Sequence, residues 1–383
     1  MTELPSRAEI VIVGGGVMGT SIAFHLAEAG VKNIVLLEQN ELGSGSTCKA
    51  AGGVRAQFSD AVNIQLGLRS LEAFARFPER PGQDIDFRKV GYLFLLSRKE
   101  DVRAFEQSIA LQNSLGVPSR LIDPAEAKRI SPLIETDDVI AAAWGPDDGL
   151  ATPEAVVYGY AKGARQLGVH IATQCTVTGI ERAGDRIRAV RTSHGTIETD
   201  TVICTAGAWS RAIGEMAGVD LPVTPYRRQV LFTEAMPNLP PMPMTIDFAS
   251  TFYFHAEGRG LLVGMSYQEE PPGFNLERND AWVPTLLAAA EKRAPAIGQA
   301  GIASGWAGLY EISPDHNALI GEARSVSRFL YATGFSGHGF LQGPAVGETI
   351  RDLYLGRTPA VDVSGMTADR FAAGAARPER NIV

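Results

Sequence analysis

Gly14, Gly16 and Gly19 form a GxGxxG run, and Glu38 follows 19 residues after the last of them. Each glycine has its own task. The first allows a tight turn, the second brings bare backbone to a pyrophosphate, and the third lets helix and strand pack closely. An acid about 20 residues further on accepts from both hydroxyls of a ribose and disfavours a 2′-phosphate, which argues against NADP. The chemistry is dinucleotide binding, with NAD and FAD both open on these residues. A second small-residue stretch covers 42–58. There Ser46 and Thr47 could wrap another phosphate, and Ala51, Gly52 and Gly53 could lay bare backbone against a flat ring. The same composition also suits a plain surface loop.

Four further side chains could do chemistry. Arg55 follows the glycine pair and offers a fixed positive charge to a ring or a carboxylate, or else an ion pair between lobes. Tyr253 and Tyr310 offer hydroxyls without fixed charge, or fill core. His338 lies between Gly337 and Gly339, where it could hydrogen-bond a ring. No pair of histidines has metal-ligand spacing, and the cysteines at 48, 175 and 204 form no CxxC. No metal is expected.

The elements that must carry these residues follow from periodicity. A strand over 9–13, a helix over 20–29 and a strand over 33–37 frame the glycine run as a βαβ unit. Helices are expected over 59–77, 99–115, 152–167 and 279–293, and a last one over 341–354. Strands are expected over 87–96, 221–233, 302–308, 318–321 and 328–333. A β-meander spans 169–204, a hairpin spans 251–264, and the proline-rich run 236–244 is a loop. The stretch after Gly365 reads as loose. The last helix points its positive N-terminal end at whatever lies before Phe340, which favours an anion there.

The chain has 383 residues, beyond the roughly 250–300 at which a single core stops growing, so two lobes are expected. Net charge is −8, with 28 arginines against 7 lysines. That balance argues against nucleic acid and anionic membranes, and no apolar run approaches the ~20 residues of a membrane helix. Widely spaced cysteines suit a reducing compartment, and the first nine residues lack a signal-peptide layout. The expected location is the cytoplasm.

Five stretches occur in order along the chain: GGGVMGTSIAFHLAEAG, GSGSTCKAAGGVRAQFSD, TVICTAGAWS, WAGLYEISPDHNALIG and ATGFSGHGFLQGPAVGE. In them the chain resembles the D-amino-acid-oxidase-type flavoprotein superfamily. Within it the chain is similar to sarcosine oxidase β subunits, proline dehydrogenase β subunits and dimethylglycine-dehydrogenase-like proteins. The resemblance implies an α/β chain, α+β overall. A Rossmann-like FAD-binding domain would be assembled from the discontinuous segments 1–83, 146–222 and 310–383. A substrate domain with an antiparallel sheet would comprise 84–145 and 223–309. It implies FAD with its ADP half on Gly14, Gly16, Val17, Met18 and Gly19, together with Glu38 and Gln39. Val177 would meet adenine, and Ala206, Gly207 and Trp209 would flank the diphosphate. The ring would lie between Ala51–Arg55 and Gly337, His338, Gly339, Phe340 and Leu341.

The implied activity is oxidation of the C–N bond of a small secondary or N-alkylated amino acid, of sarcosine, dimethylglycine, proline or opine type. It would proceed by hydride transfer to flavin N5 and imine hydrolysis, with oxygen or another carrier as electron acceptor. Arg55, Tyr253, Tyr310 and His338 are the candidate catalytic residues. Two departures are informative. Gly308 stands where monomeric sarcosine oxidases tether flavin to a cysteine, so non-covalent FAD is expected. Leu262 stands where those oxidases place an oxygen-activating lysine, which favours a dehydrogenase. The alternatives are a flavin-bearing subunit that works only beside partner chains, and an NAD-linked dehydrogenase.

Overall fold

The computed structural model describes residues 4–382. β1 (Ile10–Val13) runs into the glycine turn, α1 (Val17–Glu28) returns across it, and β2 (Ile34–Leu37) pairs parallel to β1 with Ile10 opposite Ile34. Every residue of both strands is buried, because the sheet they belong to is covered on both faces. Ile10 and Ile12 join the core beneath α1, whereas Val11 and Val13 join a second core on the opposite face.

That sheet has six strands, in the order Leu319–Glu322, Phe329–Thr333, Val202–Cys204, β1, β2 and His170–Ala172. Only Leu319–Glu322 runs antiparallel to its neighbour. The meander expected over 169–204 is therefore divided. Its first and last strands enter the parallel sheet. Val177–Ala183, Arg186–Thr192 and Gly195–Glu198 form a separate antiparallel sheet whose apolar side chains cover Val11 and Val13. Burial explains the division: Val202–Cys204 is buried at every position, while Arg186–Thr192 buries Ile187, Ala189 and Val190 and exposes its arginines.

A second large sheet has eight strands, drawn from 92–145 and 224–312. Their order is Ile302–Ile312, Thr224–Thr233, Gly260–Gly264, Phe252–Glu257, Met244–Asp247, Tyr92–Leu96, Ala141–Gly145 and Arg120–Ile122. It is antiparallel except where Met244–Asp247 pairs parallel with Tyr92–Leu96. Three of these strands escape the sequence patterns. Met244–Asp247 starts inside the proline-rich run, Ala141–Gly145 (AAAWG) has no β-branched residue, and Arg120–Ile122 is three residues long.

α2 (Ala61–Ala75) starts at Asp60, whose carboxylate accepts the Val62 N–H at 2.9 Å. The stretch after Gly365 is not loose. Arg370 is buried and forms a two-pronged ion pair with Asp315, with both distances 2.8 Å. Glu379 and Asn381 are buried as well. Its apolar residues are mostly alanines in no regular spacing, so periodicity is silent about it. Polar contacts with residues 59–63 and 313–317 hold it instead.

Candidate active site

One cleft opens between the two large sheets, with an empty volume of about 1940 Å³ including its mouth. Its lining runs from the glycine turn at Gly14–Gly16 to Tyr253 and Tyr310 on the second sheet, a reach that suits an extended dinucleotide. Of the residues expected to face a cofactor, all but Gly19 line it, and so do Tyr253 and Tyr310.

At the glycine end the three glycines differ physically. Gly14 has φ +113°, and a Cβ there would lie 2.3 Å from the Thr205 carbonyl oxygen. A Cβ on Gly19 would lie 1.9 Å from the Gly14 oxygen. Both glycines serve the fold. A Cβ on Gly16 would meet only Thr47 Oγ1, at 3.1 Å, so its bare face is turned to the cleft. α1 begins there with no cap from its N-cap residue Gly16 and no acid in its first turn, which leaves its positive end to an outside anion. Glu38 lies beside it, accepting the Gly15 N–H at 2.7 Å and the Asn40 N–H at 2.8 Å. Ser46 and Thr47 part ways. Ser46 donates its hydroxyl proton to the Leu309 carbonyl at 2.6 Å, so it ties the loop to a strand. Thr47 accepts the Val17 N–H at 3.2 Å and keeps its own proton for another partner.

At the other end three tyrosines seat against glycines. A Cβ on Gly53 would lie 1.9 Å from the Tyr92 hydroxyl. One on Gly264 would lie 2.4 Å from Tyr253, and one on Gly337 2.4 Å from the Tyr310 ring. Gly53 and Gly337 are thus bare for the sake of the protein's own rings. His255 meets the Ala51 carbonyl through Nε2 at 2.9 Å and so fixes the Ala51–Gly53 turn.

Arg55 is buried, with its guanidinium 4.0 Å from the Phe58 ring centroid. It donates to the Gln57 carbonyl and, at 2.7 Å, to the Asn381 carbonyl. Among the described residues it has no ion-pair partner, so its charge is oriented but not neutralised. His338 is buried, and neither ring nitrogen has a partner among the described residues. Burial lowers its pKa to about 3, so the ring is neutral at physiological pH. Buried polar atoms are seldom left unpaired, and a pair of them facing a cleft points to an absent ligand.

Sequence reasoning missed two cations in the cleft. Arg228 lies 5.3 Å from the Tyr310 ring centroid and has a buried Nε without a partner. Lys49 lines the cleft with Nζ 5.6 Å from the Trp306 centroid, whereas Leu262 lies outside it. Arg228 lies outside the quoted stretches, and Lys49 lies inside one of them without having been singled out. The alternation of Thr224–Thr233, in which Arg227 pairs with Glu270, is the signal that turns Arg228 the other way. Gly308 faces Lys49, and a Cβ there would come within 2.7 Å of the Lys49 Cβ. Among the described residues no cluster could hold a metal ion, and no helix is long and apolar enough to cross a membrane.

Comparison with known proteins adds a family and several relatives. The family described as FAD dependent oxidoreductase matches residues 9–353. The crystal structure of L-proline dehydrogenase from P. horikoshii superposes with a TM-score of 0.92 at 35% identity, covering 98% of this chain and 100% of that one. The chain is 30% identical to mitochondrial dimethylglycine dehydrogenase of Rattus norvegicus, over 96% of its length and 45% of the relative's. It is also 30% identical to mitochondrial sarcosine dehydrogenase of Homo sapiens, over 96% and 42% respectively. The chain therefore spans about half the length of these curated relatives.

Proposed function

This chain belongs to the FAD-dependent oxidoreductase family, and from that premise we propose that it oxidises the C–N bond of small secondary or N-alkylated amino acids. The observation that carries the proposal is the cleft's polarity. One end is bare backbone at a helix N-terminus with no acid in its first turn. The other holds a buried cation without a counter-ion among tyrosines.

The residues present fit FAD. Gly16 and the α1 N-terminus would take the pyrophosphate, with Thr47 donating to it and Glu38 facing the ribose. The unpaired nitrogens of His338 would hold the ring system. In this reading residues 1–83, 146–222 and 310–383 bind the cofactor and residues 84–145 and 223–309 bind the substrate, and the composition of the two large sheets supports that division. The crowding at Gly308 supports FAD held without a covalent bond there. The three cysteines are unpaired, which supports the cytoplasmic reading.

When bound, FAD supplies the acceptor for the electron pair and hydrogen leaving the carbon beside nitrogen. The chain's residues do the rest. Arg55 holds the substrate carboxylate, which fixes where the amine lies. Tyr253 and Tyr310 offer hydroxyls to the same group. Tyr92, Met244 and Ile246 form an apolar wall of the cleft. That wall excludes water and disfavours the ammonium form, so the substrate reacts as the neutral amine. No side chain is needed as a general base. The imine product hydrolyses to amine and carbonyl.

The test is steady-state oxidation with a dye acceptor, offering sarcosine, dimethylglycine, proline and an opine beside their 2-hydroxy-acid counterparts. Turnover of one or more amines, with a carbonyl product, is expected. Preference for the hydroxy acids, or no amine turnover, would overturn the proposal. Repeating the assay with oxygen alone identifies the natural class of electron acceptor.

A further inference from the structure

The stretch beyond Gly365 ends against the cleft, where Ile382 is one of the lining residues. It is anchored far from its neighbours in sequence. Arg377 donates to Asp60 Oδ2 at 2.8 Å, and its N–H reaches Asp315 at 3.0 Å. The Glu379 carboxylate is buried and accepts donors from two directions. From residues 59–63 come the Ser59 N–H at 2.8 Å, the Ser59 hydroxyl at 2.6 Å, the Asp60 N–H at 3.1 Å and the Asn63 amide at 2.9 Å. From its own segment it accepts the N–H groups of Arg380 at 3.1 Å and Asn381 at 2.9 Å.

So many donors on one buried carboxylate fix the backbone of 379–381 to the start of α2. The result is that the Asn381 carbonyl points at Arg55 and accepts from Nη2 at 2.7 Å. A carbonyl in that place has a consequence that a carboxylate would not. It orients the guanidinium yet leaves the full positive charge for a ligand, whereas a carboxylate would form an ion pair and cancel it. Glu379 itself, though close enough to act on Arg55 through space, forms no ion pair with it, because its lone pairs are already taken.

We propose that residues 377–382 are a strap that positions Arg55 for the substrate carboxylate, with Glu379 as the positioning residue acting through the Asn381 carbonyl. The proposal rests on the assignment of Arg55 to that carboxylate. Glu379 touches neither substrate nor cofactor in this account.

The experiment measures calorimetric binding of tetrahydro-2-furoate, a ring like proline's with oxygen in place of the amine, to the FAD-loaded protein, beside KM and kcat for the best amine. Glu379→Ala should raise Kd and KM about tenfold or more and change kcat by no more than about twofold, the pattern of lost uniform binding. Glu379→Asp should recover part of the loss. In an Arg55→Met background, Glu379→Ala should add nothing to Kd. If Glu379→Ala leaves Kd unchanged while Arg55→Met raises it, the strap has no such role. An undiminished effect of Glu379→Ala in the Arg55→Met background would also overturn it, by showing a general loss of structure. If Arg55→Met itself leaves Kd unchanged, the carboxylate assignment falls, and the strap's role with it. Should Glu379→Ala fail to fold, Arg377→Ala loosens the same segment at its half-exposed end and must shift Kd in the same direction.

Discussion

At the scale of single residues, the glycines divide into those that serve the protein and those that serve a ligand. Gly14 and Gly19 would collide with backbone if they gained a Cβ, and Gly53 and Gly337 would collide with tyrosines. Gly16 alone of the three motif glycines has room for a Cβ, on the side facing the cleft. Its φ of −77° and ψ of −170° suit any residue. Gly16→Val should therefore fold, with an unchanged far-ultraviolet spectrum, and purify without the yellow chromophore. Gly14→Val should instead be lost to misfolding. A yellow Gly16→Val protein would contradict the pyrophosphate assignment. The motif glycines and Glu38 were legible in the sequence because their spacing is local. Arg228 and Lys49 were not, because nothing in a lone basic residue tells which way a strand or turn will aim it.

At the scale of elements, the cofactor end depends on how closely α1 approaches the helix Gly339–Tyr354, which starts at His338 in the cleft. Glycines permit the approach. A Cβ on Gly343 would lie 2.6 Å from Val17 Cγ2, and one on Gly347 would lie 2.2 Å from Ser21 Oγ. Gly347→Val should cost about 1–3 kcal/mol by overpacking and lower the melting temperature. An undiminished melting temperature would show that the contact is soft. His25 lies at the same junction, buried against Tyr160 with Nδ1 2.8 Å from the Ser21 carbonyl. Burial, and then the Arg80 cation, lower its pKa to about 3. The folded pKa lies below the unfolded value of about 6.5, so the unfolded chain binds a proton that the folded one refuses. That contribution is complete above pH 6.5 and is lost as pH falls toward 3. Between pH 6.5 and 5 it amounts to about 2 kcal/mol. Denaturant titrations should show a flatter acid dependence in His25→Gln than in the parent. Equal slopes would contradict the buried neutral ring. The helices and most strands could be read from periodicity, but the stretch beyond Gly365 could not. Its order comes from Asp315, Asp60 and Ser59, partners more than 50 residues distant that no local pattern connects to it.

At the scale of the whole molecule, two large sheets built from interleaved segments meet at one cleft, and the chain crosses between them repeatedly. A ligand seated there binds the folded chain only. Excess FAD at about a hundred times its Kd should stabilise the protein by about 2.7 kcal/mol, read as a rise in melting temperature. Acid precipitation should then release the chromophore into solution, since the crowding at Gly308 leaves no tether at that position. The central claim concerns what the loaded cleft does to a C–N bond, and one measurement addresses it most directly. The FAD-loaded protein is mixed without oxygen with sarcosine, dimethylglycine, proline and an opine in turn, and the flavin absorbance is followed. At least one of these amines should bleach the flavin, and Arg55→Met should demand a far higher concentration of it. A flavin that dithionite bleaches but none of these amines does would contradict amine oxidation at this cleft.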